Sequence, residues 1–394
     1  MKKLLVIGAG FLQTYVIRKA KEMGYFVLAI DGNPKAPGFA YADKFAVVNI
    51  VDEQACLQYA KQEGIHGVLT AATDYGVLSA AYVAKELGLR GLTYEVAQTV
   101  KNKYLTRKCL FENQVDDTKQ AYEVSRETDT ENLANHISYP VMVKPCDGSG
   151  SRGASRVDSA EEFVPACRQA MEASLTGKAT VETFVVGREY GAESLVVDGE
   201  VHVLAVMQKW MTQPPYYAEL GHAIPTDLSA EVEEKARACV EKAIRALGIN
   251  FGSVNMDMLI TPNGDVHIVD IGVRMGGNLI GSHIVPLGTG VDYMGAMIQN
   301  AVGDPVDLTA RSRSAVATKL LAFSGGEVKR LPDIKEMETQ YDVRVEHHIH
   351  IGDCVNEYHT NLDGCGYVIA TAKTAEEAAK RAERARAQIE QEIF

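Results

Sequence analysis

Asp257 lies in one apolar run (Met256, Met258, Leu259, Ile260) and Asp270 in the next (Val266, Ile268, Val269, Ile271), with Thr261-Pro262-Asn263-Gly264-Asp265 turning between them. Read as two adjacent strands, the runs carry one carboxylate each. Carboxylates that converge on an apolar sheet repel each other and are costly to bury unless a cation neutralises them, and hard cations such as Mg²⁺ prefer oxygen ligands. The chemistry first expected here is therefore a metal site. Arg274 and the Gly276-Gly277 backbone follow closely, and a guanidinium beside bare backbone points to a negatively charged substrate.

Other groups that could meet such a substrate lie upstream. Tyr139 to Pro145 reads as a short strand with an inward Lys144 and a proline stop. Directly after it, Gly148-Ser149-Gly150-Ser151-Arg152-Gly153 forms a loop whose N–H and hydroxyl groups suit phosphate oxygens. It lacks the Walker spacing, and alone it reads as readily as a plain turn. Ala179 to Val185 and Glu189 to Val197 are expected strands around the turn Val186-Gly187-Arg188, with Asp198-Gly199 as a hairpin into Val201 to Met207. Glu182 and Glu189 could serve a base and a ribose there, or be solvated edge acids. Glu219 to Pro225 is expected to be a loop before a helix from about Ser229 to Leu247. His222 within it reads more readily as structural than as catalytic.

The elements that must position these groups begin with a β-α-β unit, Lys3 to Ile7, a helix through Met23, and Phe26 to Ile30. Gly8-Ala9-Gly10 and Asp31 give a weak dinucleotide fingerprint, because Gln13 holds the third glycine position and Asp31-Gly32-Asn33-Pro34 also reads as a turn. Further α/β alternation ends in Ala71-Ala72-Thr73-Asp74, a strand-end loop that suits either a ligand or a helix cap. A basic helical stretch spans Val100 to about Phe111, followed by an acidic connector, Asp116 to Asn132. The tail holds short strands at Ala315 to Ala322, Val343 to Val345 and Gly366 to Thr371. Lys329 to Glu338 reads as a surface segment, His347 to His350 as a solvated strand edge, and Thr374 to about Ile389 as an exposed, alanine-rich helix.

At 394 residues and 46% hydrophobic content, the chain can bury a large core in two or three units. A net charge of −12 argues against a nucleic-acid surface. Seven cysteines without C-x-x-C spacing, and no leader-like or membrane-length apolar run, lead to the expectation of a reduced cytoplasmic protein that does not engage a membrane.

In this order the motifs resemble the ATP-grasp superfamily over essentially the whole chain: Asn102-Lys103, Val143-Lys144-Pro145 with the 147–153 loop, Glu182-Thr183-Phe184-Val185 with Gly187-Arg188-Glu189, Gly248, Gly252 to Asp257, and Asp270 to Gly277. The pattern is most similar to stand-alone carboxylate–amine ligases related to L-amino-acid ligases and the carbamoyl-phosphate synthase large subunit, with Pro286 to Gly290 and Asp292 continuing it. The resemblance implies an ATP-grasp fold of mixed α/β and α+β class. Its expected parts are an N-terminal Rossmann-like parallel domain (1–95), an ATP-grasp domain (96–310) with a lid at about 140–190, and a small C-terminal mixed α/β lobe (311–394).

It further implies that Lys103 and Lys144 hold ATP phosphates beneath a loop containing Ser149, Gly150 and Ser151. Glu182, Phe184 and Val185 would meet adenine, and Glu189 the ribose. Asp257 and Asp270 would bind Mg²⁺, Arg274 would steady the transferring phosphoryl group, and Gly276, Gly277 and Asn278 would border the carboxylate. Lys209 and His222 would reach substrate as well. The usual E-x-N-x-R pattern reads Asp270-Ile271-Gly272-Val273-Arg274 here, which leaves one or two metal ions open.

The expected reaction is amide formation between a small carboxylate and an amine through an acyl phosphate, with release of ADP and phosphate. A homodimer is compatible with the resemblance. Two other classes compete: a non-catalytic or regulatory ATP-binding protein, and a nicotinamide-dependent oxidoreductase resting on Gly8-Ala9-Gly10 and Asp31.

Overall fold

Apolar runs closed by glycine turns build a parallel sheet at the start of the chain. The computed structural model describes residues 1–147, 153–213 and 216–394. Strands β1 (Lys3–Ile7), β2 (Phe26–Asp31), β3 (Lys44–Val47) and β4 (Gly67–Thr70) lie in the order β3-β2-β1-β4, all parallel. Helices α1 (Gln13–Glu22), α2 (Glu53–Glu63) and α3 (Val77–Leu87) connect and flank them. Both faces are covered, which is why β1 and β2 read as unbroken apolar runs rather than alternating ones.

The basic stretch is two helices, not one. α4 (Tyr94–Lys101) and α5 (Lys103–Glu112) break at Asn102, whose side chain accepts from the Tyr104 and Leu105 N–H groups and caps α5. The break turns Lys101 and Lys103 toward one cleft. Within the acidic connector, β5 (Ala121–Val124) joins β6 (Val141–Pro145), β7 (Ser155–Val157) and β8 (Ala179–Thr183) in an antiparallel sheet of order β5-β8-β6-β7. Helices α6 (Thr130–Ala134) and α7 (Ala160–Ala173) lie with it, and Phe163, Cys167 and Ala170 of α7 pack on Val141, Val143 and Val181.

All but two of the remaining strands form one long antiparallel sheet, the other two pairing separately. They are β9 (Arg188–Val197), β10 (Glu200–Met211), β11 (Glu219–Ile224), β12 (Gly252–Ile260), β13 (Val266–Gly272), β14 (Ala315–Leu320) and, past a small β15 (Gly326–Glu327), β16 (Val343–His347), with β17 (Cys354–Val355) pairing to β15 and β18 (Gly366–Ala372) completing the series. Their order is β13-β12-β9-β10-β11-β14-β18-β16, so the C-terminal strands extend the central sheet. α8 (Ala230–Ala246) covers one face, with Val240, Ala243 and Ile244 against Val254, Met256 and Met258. The other face carries a single π turn at Ile280–Ile284, α9 (Val285–Thr289) and α10 (Tyr293–Val302).

Several expectations change here. Glu219 to Ile224 is strand β11, paired between β10 and β14, and not a loop. β10 runs beyond Met207 to Met211. The segment from Lys329 contains helix α11 (Ile334–Tyr341), and the terminal helix α12 (Ala375–Ile393) buries Ala378, Ala382, Ala385 and Ile389 in a helical stripe on the sheet. β16 is an edge strand, but the His348 ring lies 5.4 Å from Phe11 and Ile349 is buried. Among the described residues no helix is long and apolar enough to cross a membrane.

Candidate active site

Register brings the two carboxylates together. Asp257 of β12 and Asp270 of β13 occupy directly paired positions, as do Asn255 and Gly272 one step of the pleat away. Opposed residues of an antiparallel pair share a face, so Asp257, Asp270 and Asn255 all line one cleft of about 400 Å³. Lys101, Lys103, Arg274 and Asp74 line it too.

Each carboxylate meets a lysine from a distant element. Asp270 forms a close ion pair with Lys103. Asp257 accepts from Lys209 Nζ at 2.7 Å, and that buried ammonium also meets Glu219 at 2.6 Å and Glu189 at 3.6 Å. Burial pushes the Asp257 carboxyl upward, with Glu219 and Asp270 adding to that against Lys209. Burial likewise raises Glu189 to about 7 despite Lys209. Negative charge therefore outweighs positive charge at this end of the cleft, which suits a cation.

Arg274 lines the same cleft. Its Nε donates to Asp74 Oδ1 at 3.2 Å and its Nη2 to Asp74 Oδ2 at 3.0 Å. Burial works against the Asp74 carboxylate, but Arg274 and Lys101 outweigh it and hold the group at about 2. An ideal Cβ on Gly272 would lie 3.2 Å from Arg274 Cζ, so glycine leaves the space that this guanidinium fills.

A second, narrower cleft of about 210 Å³ adjoins the first and is lined by Lys103, Arg107, Glu182 and Asp270. Lys144 Nζ contacts Glu182 at 2.6 Å and the Val269 carbonyl at 3.0 Å. Arg107, buried on α5, donates to Glu182 at 3.0 Å and to Asp116 at 2.7 Å. Burial would raise the Glu182 carboxyl, yet Lys144 and Arg107 hold it at about 2. Glu182 thus faces cations rather than an open base site. Phe184 and Val185 lie past the end of β8, in the connector to β9, with the Phe184 ring 4.6 Å from the Arg156 guanidinium carbon. Ser149, Gly150 and Ser151 lie outside the described residues.

Glu193 of β9 was not singled out from the sequence, although a lone acid in the apolar run Tyr190 to Val197 is the signal for it. It is fully buried and accepts from Tyr293 Oη at 2.6 Å, Asn255 Nδ2 at 2.8 Å and the Gly276 N–H at 2.9 Å. Burial raises its carboxyl from the ordinary 4.5 to about 7, against these hydrogen bonds. A raised folded value means stability fully present below pH 4.5 and lost as pH rises toward about 7. Asp74, Glu182 and Glu219, held at about 2, act below that window and with opposite sign. Glu189 acts in the same direction and His222 and His283, lowered from 6.5 to about 4, in the opposite one, so the effect of Glu193 is read as a difference: Glu193→Gln is expected to gain on the wild type by on the order of 2 to 3 kcal/mol between pH 5 and 7.5. Parallel pH profiles of melting temperature for the two proteins would remove the assignment.

Asn278, in the left-handed region at φ 51°, donates to Glu219 and accepts from Tyr367 Oη at 2.9 Å. Glu219 thereby links Asn278 to Lys209. His222, fully buried on β11, is register-paired with Lys209, and its Nε2 stands 3.8 Å from Glu219. Burial lowers it to about 4, so the ring is neutral. A Cβ on Gly277 would lie 3.6 Å from Leu12, between β1 and α1. At the start of the chain, Asp31 accepts from the Ala9 and Asn33 N–H groups and Gln13 donates to the Ala71 carbonyl at 2.6 Å, so these residues anchor turns.

Residues 137–282 match the ATP-grasp domain family, and residues 319–393 match the L-amino acid ligase C-terminal domain 2. Protein y4rH of Sinorhizobium fredii is 30% identical over 256 residues, covering 61% of this chain and 50% of its own. ATP-grasp enzyme fsqD of Aspergillus fumigatus is 26% identical over 278 residues, covering 61% and 46%. The chain spans about half the length of these two curated relatives. The crystal structure of L-amino acid ligase from Bacillus licheniformis superposes with a TM-score of 0.85 at 23% identity, over 98% of this chain and 97% of that one. Residues 137–282 are thus of the ATP-grasp domain type, and the chain shares its fold with the L-amino acid ligase structure. Its C-terminal part is of the L-amino acid ligase type.

The superfamily implies ATP and Mg²⁺, and the donor set fits both. Among the described residues no three His, Cys, Asp or Glu side chains form a closed metal cage. Mg²⁺ characteristically takes one or two protein carboxylates and completes its shell with water and phosphate oxygens. Asp257 and Asp270 provide that number, while Lys101, Lys103 and Arg274 line the same cleft as partners for phosphate.

Proposed function

We propose that the protein is an ATP-dependent carboxylate–amine ligase that forms an amide bond between small molecules, with ADP and phosphate as the other products. The reading divides the chain into a Rossmann-like domain (1–95), an ATP-grasp domain (96–310) and a C-terminal lobe (311–394). The observation that carries it is the shared cleft in which Lys101, Lys103 and Arg274 surround the register-paired Asp257 and Asp270.

A carboxylate is a poor acyl donor because oxide is a poor leaving group. In the proposed reaction its oxygen attacks the γ-phosphorus of ATP, the bond to ADP breaks and an acyl phosphate forms. The amine then attacks the acyl carbon and phosphate leaves. Mg²⁺ held by Asp257 and Asp270, as one ion or two, would neutralise phosphate charge. Lys103 and Lys144 would bind phosphate oxygens, and Arg274 would meet charge developing on the transferring group. Phe184 and Val185 would flank the base and Glu189 the ribose. Gly276, Gly277 and Asn278 would border the carboxylate, with His222 and Lys209 behind it. Amino acids or small peptides are the proposed substrates, supported by the L-amino acid ligase likeness of the C-terminal part.

The test is phosphate release with ATP, Mg²⁺ and paired pools of carboxylates and amines. Release is expected to need both pools, and Lys144→Ala is expected to lower it by about a hundredfold or more. The Gly272 departure favours a second reading, a non-catalytic ATP-binding protein. ATP binding without ADP formation across the pools would select it.

A further inference from the structure

The reaction proposed above leaves one loop of the N-terminal domain without a task. Ala71-Ala72-Thr73-Asp74 follows β4 and is seated on the segment that carries Arg274. Ala71 pairs with Met275 in an isolated parallel bridge, and the Ala72 N–H donates to the Met275 carbonyl at 3.1 Å. Ala72 sits at φ 54°, in the left-handed region that a residue with a Cβ seldom enters. The tight turn returns Asp74 over the cleft, where it grips Arg274 along the edge formed by Nε and Nη2. The remaining nitrogen, Nη1, has two long contacts of 3.4 Å, to Asn255 Oδ1 and the Met275 carbonyl. A guanidinium offers its donors as a rigid fork, so fixing one edge fixes the direction of the other.

We propose that Asp74 is a positioning residue for Arg274: it holds the Nε–Nη2 edge so that Nη1 is presented to the cleft, making carboxylate activation depend on the docked N-terminal domain. The inference rests on the ligase reading for its kinetic consequence and on geometry alone for the held guanidinium. Two further features agree with it. Lys101 lines the same cleft and supports the negative charge of Asp74, so the carboxylate stays ionised beside its partner. The bridge at Met275 fixes the backbone directly after Arg274, which leaves the guanidinium as the part of the residue that still needs orienting.

The experiment compares wild type with Asp74→Ala, Asp74→Asn and Asp74→Glu in the phosphate-release assay. In parallel, ¹H–¹⁵N spectra follow the Arg274 Nε–H, assigned by its loss in Arg274→Lys. Asp74→Ala is expected to lower kcat by about thirtyfold or more with KM for ATP changed less than about threefold, because misorientation affects the reacting geometry more than nucleotide binding. Asp74→Asn, which keeps the shape should the alanine variant fail to fold, is expected to fall between, and Asp74→Glu to recover part of the rate. The Nε–H resonance is expected to broaden or vanish in Asp74→Ala. A purely structural ion pair would lower melting temperature and leave kcat of the folded protein within about threefold of wild type, which overturns the proposal. If wild type itself releases no phosphate, the ligase reading fails and the resonance decides. Its persistence unchanged in Asp74→Ala overturns the positioning role, and its loss upholds it.

Discussion

Arg274→Ala is expected to abolish most carboxylate-dependent phosphate release, by about a thousandfold or more, while the chain remains folded. The guanidinium is one of three cations, among the described residues, that line the cleft of the register-paired carboxylates. Its charge is secured from both sides. Burial works against it, but Asp74 and then Glu193 and Asp257 hold the guanidinium ionised. Charge that develops on a transferring phosphoryl group needs a donor already in place, because a group that must reorganise loses the advantage of the low-dielectric site. Removing the side chain also takes from Asp74 its hydrogen-bonded partner and leaves only Lys101 and Lys103 nearby, so a stability loss of about 1 to 3 kcal/mol is expected alongside the kinetic one. Arg274→Lys separates the two effects. It keeps a positive charge near Asp74 but loses the fork, and its rate is expected to lie about 10- to 100-fold below wild type with stability largely retained. Turnover by Arg274→Ala within tenfold of wild type would remove Arg274 from the chemistry.

The parts of this site that were legible in the sequence are those encoded by local pattern. Asp257 and Asp270 stood on consecutive apolar runs joined by a Pro-Asn-Gly turn, so a hairpin carrying both acids followed directly, and the register bears it out. The Lys144 strand, the two strands around Gly187 and the opening β-α-β unit were legible for the same reason. Residues that act through distant partners were not. Asp74 meets Arg274 across 200 positions and Arg107 meets Ile268 across 161, and no periodicity announces such pairs. β11 was missed because its sequence, Glu-Leu-Gly-His-Ala-Ile, lacks a run of β-branched residues. Its stability comes from β10 and β14 on either side, the second contributed by residues far along the chain.

Gly272 illustrates how a departure from a family pattern can have a local cause. From sequence it is a lost oxygen ligand. In the fold it faces Asn255 across the strand pair and lies against the Arg274 guanidinium. A side chain at 272 would need the volume that Arg274 occupies while gripped by Asp74. The glycine, the acid of the loop after β4 and the arginine past the end of β13 therefore form one arrangement, in which the guanidinium is met by a residue far from it in sequence.

Gly276 is a position at the site where a small chemical change is expected to have a large structural effect. A Cβ there would stand 2.3 Å from Glu193 Oε1, with Asn255 Nδ2 and Ile280 Cδ1 each at 3.0 Å. Glu193 cannot swing aside freely, because its carboxylate is also bound to Tyr293 and Asn255 in a fully buried setting. Gly276→Ala therefore forces one of two outcomes. Either the buried acid loses hydrogen bonds, or the 274–278 backbone shifts and carries Arg274 with it. Each is expected to cost about 2 to 4 kcal/mol of stability, and the second also removes turnover. Gly277→Ala supplies the control, since its Cβ would meet Leu12 at an ordinary 3.6 Å, and its cost is expected to stay within about 0.5 kcal/mol. Denaturant unfolding of the two variants side by side decides the matter. If Gly276→Ala proves as stable as Gly277→Ala, the Glu193 network does not constrain the loop, and the account of how Arg274 is held would have to rest on Asp74 alone.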